Sequence, residues 1–268
     1  MAEEIYRPLI EDMTWSYSRI EMFEECPYRW FLSYIHNPKL PKEKKFYAMY
    51  GLFMHDLLEK YYKGKNSKEE ILMMFLTEFK DKTNGTGRPN VSTVQKYFRS
   101  GVEFIKNIED MRFETVSVEK SLNFHIGDFK FTGRIDYLGK EDGKYVLVDN
   151  KSRDLKPRSK RKNPTKKDEE LDSMLRQLYV YAEGVRQKYG ELPSKLCFNC
   201  FKSGVFIEEP FNMSVYESTM EWVKMRIEEI TDTEDFYPRV DYFPCTFICG
   251  YSGNCCYYQS SREEKKRR

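Results

Sequence analysis

Two acidic residues stand in short runs of alternating apolar character, Asp136 in FKFTGRIDYL and Asp149 at the end of KYVLVDNKS, and Lys151 follows the second two positions on. An Asp-x-Lys pair is a weak signal, since it recurs at Asp128/Lys130 and Asp142/Lys144, where neighbouring glycines mark turns. Asp149 differs in closing an apolar run. On adjacent antiparallel strands the two carboxylates could lie side by side, and such a pair repels unless a positive charge compensates it. Hard oxygen ligands from Asp136 and Asp149, with a backbone carbonyl such as that of Asn150, suit Mg²⁺ or Mn²⁺. Lys151 would share a strand face with Asp149, where its ammonium could orient an attacking water or offset charge growing on a phosphate. A surface ion pair at a strand end is the competing reading, and these residues alone leave both open.

His55, in GLFMHDLLEKYY, stands on a helical stretch with an apolar side, where a lone histidine is either a satisfied core residue or a metal ligand. It is one of only three histidines, and neither His36 nor His125 has a comparable setting. Gln177 and Tyr181, in QLYVYA, lie four apart and hence on one helix face. They pack as an ordinary polar pair or point at a substrate beside the cation.

The elements that would hold these groups are legible from capping and periodicity. Ser followed three residues later by Glu or Gln recurs at Ser18/Glu21, Ser67/Glu70, Ser92/Gln95 and Ser214/Glu217, each predicting a helix start. The first helix is expected to break at Cys26-Pro27. YRWFLSYI, a stretch around 44 to 63 and two further segments up to about 113 read as helices. Between about 115 and 151 the period changes to two, in three runs separated by turns at Gly127-Asp128 and Glu141-Asp142-Gly143, which predicts a three-stranded meander. A long helix, the strand KLCFNCF and a hairpin turn at Ser203-Gly204 follow. The class is therefore mixed α/β.

GLFMHDLLE, GRID, VDNKS and QLYVY, in that order, resemble the His, Asp, Asp/Glu-x-Lys and Gln-x-x-x-Tyr motifs of RecB-like nucleases of the PD-(D/E)XK superfamily, and SYSRIEMFEECPYRWFLSYI looks like the opening of that group. The resemblance covers about Ser16 to Cys256. It implies an αβββαβ nuclease core over residues 1–268 as a single domain, with a helical insertion at about 56–114 and hydrolysis of DNA phosphodiesters. Carried over residue by residue, His55, Asp136 and Asp149 become metal ligands, Asn150 a further one through its carbonyl, Lys151 the catalytic lysine, and Gln177 and Tyr181 the residues beside substrate. A metal-dependent exonuclease on single strands or free ends is the leading expectation, in DNA repair or recombination and with a possible helicase or recombination partner. A non-catalytic DNA-binding module that keeps the fold and a structure-selective endonuclease are the rivals.

Seven cysteines without a signal-like start read as ligands or buried thiols rather than disulfides. Cys245, Cys249 and Cys255 lie in CTFICGYSGNCC, whose small residues can wrap an ion or cluster, and Cys26 at the helix break is the natural fourth ligand. CRISPR-associated RecB-like exonucleases and AddB-type nucleases, which this pattern resembles, carry a four-iron four-sulfur cluster on one N-terminal and three C-terminal cysteines. The segment 245–256 is thus expected to close onto Cys26, with zinc as the competing occupant and Cys256 as an alternative to Cys255. Cys197 and Cys200, three apart on one strand, face opposite sides and read as core thiols.

The stretch from about 151 to 167 carries Arg153, Lys156 and Arg158 among its basic residues, and is either a solvated loop or a track for a phosphate backbone. Net charge is only +2, so placement rather than sum favours a nucleic-acid partner. No apolar run is long enough to span a bilayer, and a cytoplasmic protein without a membrane partner is expected. Composition leaves the oligomeric state open.

Overall fold

A computed structural model describes residues 3–36, 40 and 42–267, with side chains from 6 to 261. Its helices are α1 (Glu3–Glu11), α2 (Tyr17–Glu25), α3 (Pro27–Phe31), α4 (Phe46–Tyr62), α5 (Lys68–Lys82) and α6 (Val91–Lys106). Strands β1 (Glu114–Ile126), β2 (Phe129–Glu141) and β3 (Lys144–Lys151) follow, then α7 (Lys166–Tyr189), β4 (Lys195–Cys200), β5 (Val205–Pro210), α8 (Met213–Thr231) and α9 (Cys256–Arg267).

The five strands form one mixed sheet in the order β1-β2-β3-β4-β5. Short turns make the β1/β2, β2/β3 and β4/β5 pairs antiparallel, whereas α7 carries the chain over the sheet so that β4 lies parallel to β3. The central strand β3 is buried from Tyr145 to Asn150, as a strand covered on both faces must be. Leu147, Leu196 and Phe198 join Leu171, Leu175 and Leu178 of α7 in the larger core. Val146, Val148 and Cys197 meet Tyr137 and Tyr62 in a smaller cluster. Helices α4, α5 and α6 bury their own apolar stripes against one another, including Tyr50, Met54, Phe75 and Ile105.

Only one of the four expected capping boxes forms, at Ser67/Glu70. Ser16 caps α2 in place of Ser18, Asn90 caps α6 in place of Ser92, and Asn212 caps α8 in place of Ser214. In each case a capping side chain two residues earlier accepts the free N–H, so the later serine falls inside the first turn. A box at Thr165/Asp168, with Asp where Glu or Gln was sought, opens α7. The break at Cys26-Pro27 is as expected, with Cys26 extended between α2 and α3. The expected start of the helical insertion at 56 falls inside α4, which runs unbroken from Phe46.

Candidate metal and phosphodiester site

The register of the sheet places three acids in a row. Tyr137 pairs with Val148, so the next positions to face each other across β2 and β3 are Asp136 and Asp149. On the other side of β2, Val118 pairs with Tyr137 and Lys120 with Ile135, which sets Glu119 opposite Asp136. Asp136 and Asp149 are both nearly inaccessible, at 8% and 5% exposure. The Asn150 N–H donates to Asp136 Oδ2 at 2.7 Å, while the Asn150 side-chain oxygen accepts from Asn199 at 2.9 Å.

Helix α4 brings the imidazole. Its stripe of Phe46, Tyr50, Phe53, Met54, Leu57 and Leu58 faces the helical core, which leaves His55 on the flank turned to the sheet. His55 Nδ1 lies 3.5 Å from Asp136 Oδ2 and 3.6 Å from Glu119 Oε1. His55, Glu119 and Asp136 each offer a ligand atom within 4.8 Å of the others. Burial and the Asp149 charge push the Asp136 carboxyl up to about 7, although His55 and the Asn150 N–H oppose the shift. Burial pulls the His55 imidazole down, but the Glu119 hydrogen bond and the Asp136 and Asp149 charges outweigh it and hold it above its ordinary value. Two buried carboxylates with this little compensation form a site that favours a dication.

Lys151 stands beside them. Its Nζ is 2.8 Å from Asp149 Oδ2, a charge contact rather than an aligned hydrogen bond, so that this buried oxygen has no hydrogen-bond donor among the described residues. The ammonium donates instead to Gln177 Oε1 at 2.6 Å, and Gln177 Nε2 donates to the Tyr181 hydroxyl at 3.1 Å. Gly133, in GRID, is where Tyr181 packs against β2: a Cβ there would stand 2.6 Å from the ring. Glu21 of α2 closes the same side; burial and Glu25 raise its carboxyl, with Lys151 and Arg153 opposing.

His55, Asp136, Asp149, Asn150, Lys151, Gln177 and Tyr181 thus converge. The basic loop does not join them as a unit. Arg153 pairs with Glu170 at 2.8 Å and Lys156 is exposed. Arg158 is held between Asp172 and Glu209 at 2.6 and 2.8 Å, in a groove lined by α7 and α8. Two residues of the site were not singled out in the sequence: Glu119, and Arg134, which lies within GRID and pairs with Glu119 and Glu59. Glu119 could have been found only by the meander register, because VSVEKSL reads as an ordinary alternating strand.

Cys26, Cys245, Cys249 and Cys255 line one small cavity with Tyr28, Arg29 and Arg239, and the Arg239 N–H donates to Cys26 Sγ at 3.4 Å. Cys256 is exposed and lies outside that cavity. Among the described residues no three cysteine sulfurs come within 4.8 Å of one another, wider than the tetrahedral thiolate spacing of about 3.8 Å that zinc bonds of ~2.3 Å impose. Cys197 and Cys200 are both buried, in different apolar clusters on opposite faces of β4.

An antiparallel meander followed by a helical crossover and a parallel strand, with acids in a row across the meander, a lysine at the end of β3 and a glutamine and tyrosine above them, defines a nuclease-type α/β site. The profile of the PD-(D/E)XK nuclease superfamily matches residues 14–256, and the chain belongs to that superfamily. Among solved structures, it is similar to a candidate exonuclease from Eubacterium rectale, with a TM-score of 0.52, 16% identity, and 95% of this chain and 92% of that one covered. That likeness extends to the fold. A looser likeness, to the protein SSO0001, has a TM-score of 0.32 at 18% identity over 78% of this chain and 96% of that chain, and carries no argument. No curated protein matches the chain. No helix among the described residues is long and apolar enough to cross a membrane.

Proposed function

We propose that the chain is a divalent-cation-dependent DNA exonuclease of the RecB-like type, acting on single strands or free ends in DNA repair or recombination. The observation that carries this reading is the row of acids across β1, β2 and β3 with His55 at one end and Lys151 at the other. Asp136, Asp149 and His55, with the Asn150 carbonyl, would hold Mg²⁺ or Mn²⁺, and the buried Asp149 oxygen, which meets Lys151 only as a charge contact, and the raised Asp136 carboxyl fit that donor role. When bound, the cation supplies Lewis-acid chemistry at a phosphoryl oxygen and a lowered pKa for water.

The chain's own groups do the rest. Lys151, fixed by Gln177 and Asp149, is aimed where negative charge grows on the phosphate during displacement. Tyr181 orients Gln177 and so holds the ammonium in place. Arg153 and Lys156, exposed beside the site, are suited to follow the strand's backbone, whereas Arg158 would first have to leave two carboxylates. Cys26, Cys245, Cys249 and Cys255 would hold a four-iron four-sulfur cluster as a structural staple, a reading supported by the cavity that the four share.

The test is digestion of single-stranded DNA labelled at either the 5′ or the 3′ end, with Mn²⁺ and with the cation chelated. Progressive, cation-dependent shortening from an end is expected. Binding without cutting would instead identify a non-catalytic module, and cutting of closed circles an endonuclease.

A further inference from the structure

Glu119 occupies a place that an ordinary strand residue would not. It lies in the middle of β1, yet its φ is 51°, a left-handed conformation that costs a residue with a Cβ about 1–2 kcal/mol. Its carboxylate is split between two partners. One oxygen faces His55 Nδ1 at 3.6 Å, inside the cation site, and the other forms an ion pair with Arg134 Nε at 2.5 Å. The guanidinium of Arg134 reaches Glu59 as well, at 3.2 Å, so two carboxylates neutralise it.

Exposure separates the members of this chain of charges. The Glu119 side chain is only 6% exposed, whereas that of Arg134 is 57% exposed at the mouth of the site. A polyanion can therefore reach the arginine but not the acid. Guanidinium groups bind phosphate in a planar, two-pronged fashion, and an exposed one beside paired carboxylates is the group such a ligand would meet first.

We propose that Glu119 is shared between the cation site and Arg134, so that loading the cation releases the arginine for a backbone phosphate. The inference rests on the nuclease reading above. In the metal-free protein Arg134 serves as counter-charge for Glu119. Once a dication faces Glu119, that service is redundant, and the guanidinium, left with Glu59, whose other oxygen already pairs with Lys63 at 2.6 Å, turns to the nucleic acid. Cation and DNA then strengthen each other's binding, reciprocally and by the same factor. Arg134 is a substrate-binding residue that is available only in the loaded state, and Glu119 is the positioning residue that withholds it.

The experiment measures binding rather than turnover. A single-stranded oligonucleotide with uncleavable phosphorothioate linkages is titrated by fluorescence anisotropy with and without Mn²⁺, for the unaltered chain, Arg134→Gln and Glu119→Gln. Arg134→Gln is expected to weaken binding about tenfold with Mn²⁺, within the usual range of coupling, and to leave metal-free binding unchanged. Glu119→Gln is expected to tighten metal-free binding and to weaken Mn²⁺ itself about tenfold, read from the free-ion paramagnetic resonance signal. Equal weakening by Arg134→Gln in both conditions would make it a permanent phosphate ligand, and no weakening in either would make it a plain counter-ion; each overturns the proposal. If the unaltered chain takes up no Mn²⁺ and cuts nothing, the nuclease reading itself falls. If it binds Mn²⁺ and cuts while Arg134→Gln behaves in either of those two ways, only the coupling falls.

Discussion

At the scale of single residues, the site is governed by the mismatch between buried negative charge and the positive groups available to it. Asp136 is protonated up to about pH 7 because burial and Asp149 both disfavour its charge. A cation must displace that proton, so Mn²⁺ affinity should rise through neutral pH, by up to about tenfold per unit while one proton is released, and then level off. Calorimetric titration between pH 6 and 8 checks this, and a flat profile would contradict the assignment. The sign for the metal-free fold follows from the same shifts. An acid raised from 3.8 binds its proton more tightly when folded, and an imidazole raised above 6.5 does so too, so metal-free stability should fall as pH climbs from about 4 past neutral. Lys151→Ala should cut turnover on end-labelled DNA about 10²–10³-fold, the usual loss when one charge-stabilising donor is removed. Full activity in that variant would move the role elsewhere.

Elements matter because each site group is delivered by a different one. α7 has to approach β2 closely enough for Tyr181 to lie on the bare backbone of Gly133. Gly133→Ala should therefore displace Tyr181 and with it the Gln177 to Lys151 hydrogen bond, lowering stability by about 1–3 kcal/mol and activity along with it. Denaturant melts and the digestion assay together would show this; an unchanged melting curve would mean that the ring can give way. Ser67→Ala is the contrasting case. It removes an exposed capping box from α5, which supplies no side chain to the site, and should cost about 1 kcal/mol while leaving cutting intact.

On the scale of the whole molecule, the cysteine cavity joins the break after α2 to the C-terminal segment, and that segment also touches the helix that carries His55, through Phe243 and Phe247 against Tyr47. Glu43 donates its N–H to Gly250 at 2.7 Å, and buried Lys45 donates to Ser252 at 2.9 Å, just before α4 begins. A fault in the C-terminal segment thus has a route to the cation site. If the proposed cluster is held there, Cys26→Ser should lose iron and visible colour, lower the melting temperature and reduce cutting, whereas Cys197→Ser, in a separate apolar cluster, should keep its iron. Iron content per chain decides the point, and equal iron loss in both variants would show that the ligands lie elsewhere.

What the sequence determined by itself was local: the alternation that makes the meander, the break at Cys26-Pro27, and the spacing that puts Lys151 beside Asp149 and Gln177 beside Tyr181 on their own elements. Those follow from the two short periods of strand and helix, which need only near neighbours. Helix starts were less legible, because Ser16, Asn90 and Asn212 compete with serines two residues later and the choice depends on where each chain segment enters the fold. Only the tertiary structure decided that Glu119 faces Asp136, that Arg158 is tied to Asp172 and Glu209, and that Cys255 rather than Cys256 lines the cavity with Cys26. Such choices depend on strand register and on contacts between residues far apart in the chain, where a shift of one position would turn a side chain from the site to solvent.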